Sequence, residues 1–210
     1  MVLNLSKGFV NSFSNNLISW YRINKRDLPW RNTKDPYKIW LSEIILQQTK
    51  IAQGLPYYNR FIKKYPNVQV LAGASEKEVL KLWEGLGYYS RARNLHKTAK
   101  IIVTNLEGIF PSTYKNLIKL PGIGDYTASA ISSFSINEIN PVIDGNVYRF
   151  LSRLLGILIP INTNKSLKEF RNIAKILISK KNPSDFNQAI MEFGSLVCKP
   201  KNPICNDCIY

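Results

Sequence analysis

Leu120-Pro121-Gly122-Ile123-Gly124-Asp125-Tyr126-Thr127-Ala128 opens a stretch that closes with Asp144-Gly145-Asn146-Val147-Tyr148-Arg149. The first half reads as a corner between two helices. Residues Lys115 to Leu120 form helix readily, and Pro121 stops that helix. Gly122 and Gly124 permit a positive φ or a close backbone approach. A second helix is expected from Asp125 through Phe134. Its first backbone N–H groups lack intrahelical acceptors and lie at the positive end of the helix dipole, which suits one phosphate. Without side chains at the glycines, a DNA strand can touch the backbone in a grip that reads no sequence. An ordinary helix–turn–helix corner carries the same Gly-x-Gly. The longer string, with Asp-Gly-Asn about twenty residues further on, is more specific.

The bulk properties point the same way. The 210 residues are 45% hydrophobic, enough for one domain or two small lobes with a real core. Twenty-nine Lys and Arg against 14 Asp and Glu leave a net charge of +15. That excess suits a polyanion, with nucleic acid ahead of an anionic membrane surface, although compositional bias contributes to it. No apolar run is long enough for a membrane span, and Met1–Val10 lacks a signal-peptide layout, so a cytosolic protein is expected. The three cysteines cluster near Tyr210, which fits a reduced compartment and a metal site better than a disulfide framework. There is no internal repeat and no low-complexity linker.

Along the chain, helical spacing from Phe9 to Ile23 puts Phe9, Phe13, Leu17 and Trp20 on one stripe, expected in a core. Arg26-Asp27-Leu28-Pro29-Trp30-Arg31 is a loop that offers an aromatic ring beside cations. Asp35-Pro36 then caps a helix expected to run to about Gln53. Within it Glu43 is followed by three apolar residues and preceded one turn back by Trp40. A carboxyl desolvated there has a raised pKa and suits a general acid; the plain alternative is a Glu on the edge of an amphipathic face, paired with a Lys. Gln47, Gln48 and Thr49 are uncharged hydrogen-bonding groups suited to base edges, or else a polar helix end.

Helices are expected from Leu55 to Tyr65 and from Ser75 to Leu86, where Ser75 and Glu78 form a capping box. Gly85-Leu86-Gly87-Tyr88-Tyr89-Ser90-Arg91-Ala92-Arg93 then makes a tight turn presenting two Tyr and two Arg. Tyr rings can wedge into a base stack and Arg can hold phosphates; the alternative is a helix C-cap with Tyr89 in the core. His96, the sole histidine, lies in a helix over Asn94 to Thr104 and reads as structural. Asp144 reads as the N-cap of a helix through Leu155 with Val147, Phe150, Leu151 and Leu154 buried; such a cap favours an ionised carboxylate. A basic amphipathic helix over Lys165 to Ser179 and a segment from Ser184 to Gly194 lead to Cys198-x6-Cys205-x2-Cys208, whose clustered thiols read as metal or iron–sulfur ligands.

Leu-Pro-Gly-Ile-Gly followed by Asp, with Leu-Ser-Glu-x-x-Leu-Gln-Gln-Thr and Gly-Leu-Gly-Tyr-Tyr-x-Arg-Ala-Arg, resembles the helix-hairpin-helix DNA glycosylases, and within them the adenine DNA glycosylases of the MutY type. The resemblance spans Trp20 to Cys208. It implies an all-α fold of two lobes flanking a cleft: 30–137, with the hairpin at about 115–134, and 1–29 plus 138–210, ending in the cysteine loop 198–208. It implies hydrolysis of the adenine N-glycosidic bond opposite 8-oxoguanine or guanine in double-stranded DNA, by a monomer. Glu43 would protonate the base and Asp144, with Asn146, would stabilise the cationic sugar across the cleft, about 5–10 Å away by analogy with glycosidase carboxylates.

The same resemblance assigns Trp30, Arg31 and Gln188 to the base pocket and Gln48 and Thr49 to the gap in the duplex. Tyr88 would enter the base stack, Leu86 would help bind the substrate, and Gly122 and Gly124 would hold the DNA backbone. Tyr126 stands where the strand-cleaving endonuclease III type carries a Lys, so base removal without strand cleavage is expected. The pattern also implies a [4Fe-4S] cluster on Cys198, Cys205 and Cys208 plus a fourth Cys five residues further on. The sequence stops at Tyr210, before that position and before the Nudix-like C-terminal domain that reads 8-oxoguanine, so a fragile cluster and a weaker 8-oxoguanine preference are expected. A thymine or uracil mismatch glycosylase of the same superfamily is the nearest rival, and a non-catalytic DNA-binding remnant is another.

Overall fold

A computed structural model describes residues 5–160 and 163–210, and every regular element among them is helical. In order these are α1 (Lys7–Asn24), a 3₁₀ turn (Pro29–Arg31), α2 (Pro36–Leu46), α3 (Ile51–Lys64), α4 (Val68–Gly73), α5 (Glu76–Trp83), α6 (Ser90–Asn105), α7 (Tyr114–Leu117), α8 (Asp125–Ile136), α9 (Gly145–Leu155), α10 (Asn164–Leu177), α11 (Pro183–Leu196) and a 3₁₀ turn (Cys205–Asp207). The chain divides into two compact units. The hairpin unit is continuous, Leu28–Ile136, and the split unit joins the residues up to Asp27 with Asn137–Tyr210.

In the hairpin unit α2 is the central element. Asp35 accepts from Tyr37 N at 2.9 Å and Pro36 fills the first turn, where its missing N–H costs nothing. From Ile39 to Ile45 every residue is buried, because α2 packs between α8, α3 and α6. A helix enclosed on all sides needs no polar stripe. The predicted continuation to Gln53 does not occur: α2 ends at Leu46, and α3 starts afresh at Ile51 after a turn in which Gln48 has φ +53°. Propensity favoured one helix, but the guanidinium of Arg91 takes the carbonyls that would have continued it. The capping box of α5 forms as predicted, with Ser75 accepting from Glu78 N at 3.3 Å.

In the split unit, α1, α9, α10 and α11 share a core of Phe13, Leu17, Phe150, Phe170, Phe186 and Phe193. Each such side chain contributes about 1.5–3 kcal/mol by leaving water. Phe13 and Leu17 of the predicted α1 stripe are in this core and Trp20 packs on it, but Phe9 is 37% exposed and only stacks on Phe13. The stripe begins one turn later than its spacing suggested. Burial at α9 includes Val147, Phe150 and Leu151, with Leu154 half-buried, and left-handed Gly156 closes the helix. A buried ion pair joins Arg26 to Glu192, whose side chain is 1% exposed; Arg26 N also donates to it at 3.0 Å. Among the described residues no helix is long and apolar enough to cross a membrane.

Candidate active site

In the hairpin unit, α7 turns through Pro121–Gly124 into α8. Thr98 of α6 donates to Pro121 O at 2.6 Å, and Tyr114 donates to Asp125 Oδ1 at 2.5 Å, pinning both sides of the corner. The two glycines differ. Gly122 has φ +73°, and a Cβ there would stand 2.8 Å from Asn94 Cβ. Gly124 is exposed, with open space where a Cβ would point, while its carbonyl starts α8 by accepting from Ala128 N at 2.9 Å. The fold therefore requires glycine at 122 and leaves the face at 124 open. Tyr126, one residue into α8, is half-buried.

Glu43 is 7% exposed, two turns into α2, and its carboxyl is engaged within the protein. One turn further on the helix ends at the Gln47–Lys50 turn. Gln47 donates to Thr127 Oγ1 at 3.4 Å, which ties this turn to the hairpin helix α8. Thr49 Oγ1 donates to Gln47 O at 3.2 Å, and Gln48 projects into solvent from its left-handed backbone. Arg91 of α6, a residue to which the sequence reading gave no more than a phosphate role, caps α2 from outside. The cavity beside it, about 60 Å³, is lined by Trp40, Gln47, Arg91, Asn94 and Pro121 among others. Burial pulls the Arg91 guanidinium below its ordinary pKa.

The turn after α5 carries the other predicted contact residues. Gly85, Gly87 and Tyr88 all have positive φ, at +94°, +70° and +46°. Tyr88 is 65% exposed, and Leu86 between the glycines is buried. Tyr89 is exposed and precedes α6, so it is neither a core residue nor a C-cap: the turn enters a helix. His96 is buried with Nε2 2.9 Å from Ala74 O, a bond in which the ring nitrogen donates, in keeping with its structural reading. Trp30 stands edge-on to Tyr58 at 5.1 Å, and Arg31 beside it is half-buried.

In the split unit, Asp144 caps α9, accepting from Val147 N at 2.8 Å. Its second oxygen accepts from Asn146 Nδ2 at 2.6 Å, and Asn146 Oδ1 accepts from Arg149 at 2.9 Å. Arg149 is fixed by Gly194 O (2.6 Å) and Cys198 O (2.8 Å). A Cβ on Gly194 would stand 2.7 Å from Asn146 O, so this close approach of α9 to α11 needs glycine. The cap bonds favour the ionised carboxylate, and burial opposes them. Burial raises its pKa, outweighing the bonds from Val147 and Asn146 and the charge of Arg149. Asp144 is only half-buried by exposed area, yet its carboxyl is well enclosed by protein. Gln188 accepts from Tyr21 Oη at 3.0 Å and donates to Ser184 Oγ at 3.2 Å, so most of its amide is committed within the unit.

The cysteines lie on the loop after α11. Cys198 and Cys208 are half-buried against the core, Cys205 is exposed, and all three thiols are free. Arg153 reaches Cys198 Sγ at 3.5 Å and holds the loop by Lys199 O at 2.7 Å. Tyr210 closes it, donating to Phe13 O at 2.7 Å with its ring 4.8 Å from that of Phe13. The donor type suits iron or zinc, but among the described residues no three His, Cys, Asp or Glu side chains are gathered around one metal position. Contacts from Arg153 and Tyr210 hold the loop in this arrangement.

The family model of HhH-GPD superfamily base excision DNA repair proteins matches residues 41–181, which include Glu43, the hairpin and Asp144. The chain belongs to that superfamily. It is 44% identical over 93% of its length to an adenine DNA glycosylase of Buchnera aphidicola subsp. Schizaphis graminum, and 44% identical over 95% to one of Mus musculus. It spans 57% and 40% of the lengths of those two curated relatives. Among solved structures, a thermostable thymine-DNA glycosylase superposes with a TM-score of 0.86 over 95% of this chain and 92% of that one, at 28% identity. The all-α helix-hairpin-helix glycosylase fold is thus established. The structural roles of Arg91, Arg149 and Gly194 escaped the sequence reading. Each has a partner far along the chain, at Ile44 for Arg91, Gly194 for Arg149 and Asn146 for Gly194, and such contacts leave no local signal.

Proposed function

We propose that the chain is a monofunctional adenine DNA glycosylase of base excision repair, hydrolysing the N-glycosidic bond of adenine paired with 8-oxoguanine or guanine. The observation that carries this reading is a carboxyl buried in α2, one turn before an exposed left-handed Gln48, in a chain 44% identical to adenine DNA glycosylases. Glu43 gives a proton to the adenine ring, so the glycosidic electron pair leaves with a neutral base. Asp144, ionised, stabilises the oxocarbenium-like sugar or bonds to it transiently. Asn146 and Arg149 hold that carboxylate in place. Water adds to the sugar carbon and gives its proton to the Glu43 carboxylate, which restores the acid. Tyr126 has no amine for a Schiff base, so the strand stays intact.

Trp30 and Arg31 flank the extruded base, with Gln188 offering its remaining amide hydrogen. Gln48 and Thr49 address the opposite base, and Leu86 sets the turn from which Tyr88 enters the stack. Gly122 and Gly124 accept a phosphate at the start of α8, and the +15 charge supports sequence-blind binding of double-stranded DNA by a cytosolic monomer. The resemblance further assigns a [4Fe-4S] cluster to Cys198, Cys205 and Cys208. Iron content and visible absorbance of the purified protein test that assignment, and no step of the reaction uses it.

Single-turnover base release on A·8-oxoguanine, A·G and T·G duplexes decides the function. Adenine release from the first two, with strand breaks only after alkali, is expected. The likeness to a thymine-DNA glycosylase favours one second reading, and thymine release from T·G without adenine release would establish it.

A further inference from the structure

Two turns in the hairpin unit carry left-handed residues other than glycine with side chains directed outward: Gln48 between α2 and α3, and Tyr88 between α5 and α6. A backbone in this region costs a non-glycine residue about 1–2 kcal/mol unless its surroundings impose it. One side chain does so at both places. Arg91 Nη1 lies 2.5 Å from Gln47 O, 3.0 Å from Ile44 O and 3.1 Å from Ile45 O, with Thr49 Oγ1 at 3.5 Å. Its two hydrogens are shared among those acceptors, which are the open carbonyls at the end of α2. Arg91 Nη2 donates to Leu86 O at 3.1 Å and Gly87 O at 3.3 Å in the other turn. The guanidinium also lies over the rings of Trp83 (5.1 Å) and Tyr88 (5.7 Å), and Trp83 Nε1 donates to Gly87 O at 3.0 Å.

We infer that Arg91 is a positioning residue that locks the Gln48–Thr49 turn and the Leu86–Tyr88 turn into one rigid reading element, so that the side chain addressing the opposite base and the side chain entering the stack act on DNA as a coupled pair. The inference rests on the reading above in one respect, that Gln48 and Tyr88 face DNA. Geometry makes the role specific to arginine. A planar fork with two terminal nitrogens reaches acceptors on two segments at once, whereas the single ammonium of a lysine serves one cluster of acceptors. Among the described residues, the other side-chain contacts to these turns each serve one turn. Gln53 and Tyr57 of α3 bind only the second, at Gly85 O (3.4 Å) and Glu84 O (2.7 Å). Within the first, Thr49 binds back to Gln47 O.

The test has two independent parts. The first is amide hydrogen exchange on the free protein. Arg91→Lys is expected to speed exchange at Gln48–Lys50 and at Gly87–Tyr89 together, by about tenfold or more, with α10 and α11 unchanged. Acceleration at only one turn, or at neither, overturns the lock. The second is a binding cycle on a duplex carrying a tetrahydrofuran abasic analogue opposite 8-oxoguanine, using Gln48→Ala, Tyr88→Ala and the double variant. With Arg91 present the two losses should fail to multiply by about threefold or more, and with Arg91→Lys they should multiply. A general structural defect would weaken binding without removing the coupling. Should Arg91→Lys not fold, the cycle with Arg91 in place still decides, because simple multiplication there overturns the proposal. Failure of the function is separately visible: a wild type that frees no adenine leaves the exchange result untouched.

Discussion

The hairpin unit and the split unit keep their functional groups in place by different physics. In the hairpin unit the residues proposed to read DNA sit on turns with left-handed backbone, and polar side chains from other helices bind backbone carbonyls there. Arg91 and Thr98 work this way, and Trp83 binds such a carbonyl from the adjoining end of α5. In the split unit Asp144 sits on a regular N-cap, the helix beneath it is fixed by aromatic packing, and a chain of polar contacts from Asn146 to Arg149 holds the carboxylate. The difference teaches where each unit is vulnerable. Backbone changes should damage the first, and side-chain charge or volume changes the second.

The largest expected effect would break the comparison by separating chemistry from stability in both units. Glu43→Gln and Asp144→Asn should each slow adenine release by about 10²–10⁴-fold in single-turnover assays. Asn still caps a helix, so Asp144→Asn should leave the melting temperature nearly unchanged. Equal losses of rate and stability would show that Asp144 is only a cap. The double variant should be little slower than the worse single one, because the two groups serve one bond.

The next effect falls on stability alone. Arg26→Met leaves the buried Glu192 without its guanidinium and should cost about 3 kcal/mol in urea denaturation. The same experiment on Arg22, whose pair with Asp185 at 3.3 Å is exposed, should cost under about 1 kcal/mol. If the two costs are alike, burial is not what makes the Arg26 pair matter.

A smaller, sharper contrast lies within the hairpin. Gly122→Ala should destabilise by about 1–2 kcal/mol, since its φ is positive and Asn94 blocks the new methyl. Gly124→Ala meets open space and should change stability by less than about 0.5 kcal/mol, yet weaken DNA binding measured by anisotropy. A stability loss at 124 equal to that at 122 would deny that the open face is kept for a ligand.

The smallest effect is in pH. Burial raises the pKa of Asp144 above the ordinary aspartate value. The unfolded chain therefore ionises first, and stability contributed by this group is present at low pH and declines as pH rises from about 3.9 through the raised folded value. Catalysis runs the other way, because the ionised form is required. The acidic limb of the rate profile should lie above the ordinary aspartate range, and Asp144→Asn should abolish the stability trend while leaving the other acids' trends in place.

The sequence by itself determined the helical class, the hairpin corner and the caps at Asp35, Ser75 and Asp144, and the family resemblance singled out Glu43 and Asp144 as candidate carboxyls. These are local matters, fixed by residues within a turn or two: Pro ends a helix, Asp accepts from the third N–H, and an acid amid apolar neighbours is anomalous wherever the helix packs. Only the tertiary structure decided where α2 stops, because the cation that caps it arrives from α6. It decided that Gly122 is required by Asn94 while Gly124 is not. It placed Gly194 under Asn146, left Phe9 outside the core and raised Asp144 when its own cap argued for lowering. At the end of α2, at Gly122 and at Gly194 the deciding partner lies far along the chain, and contact from such a partner leaves no mark on the local pattern.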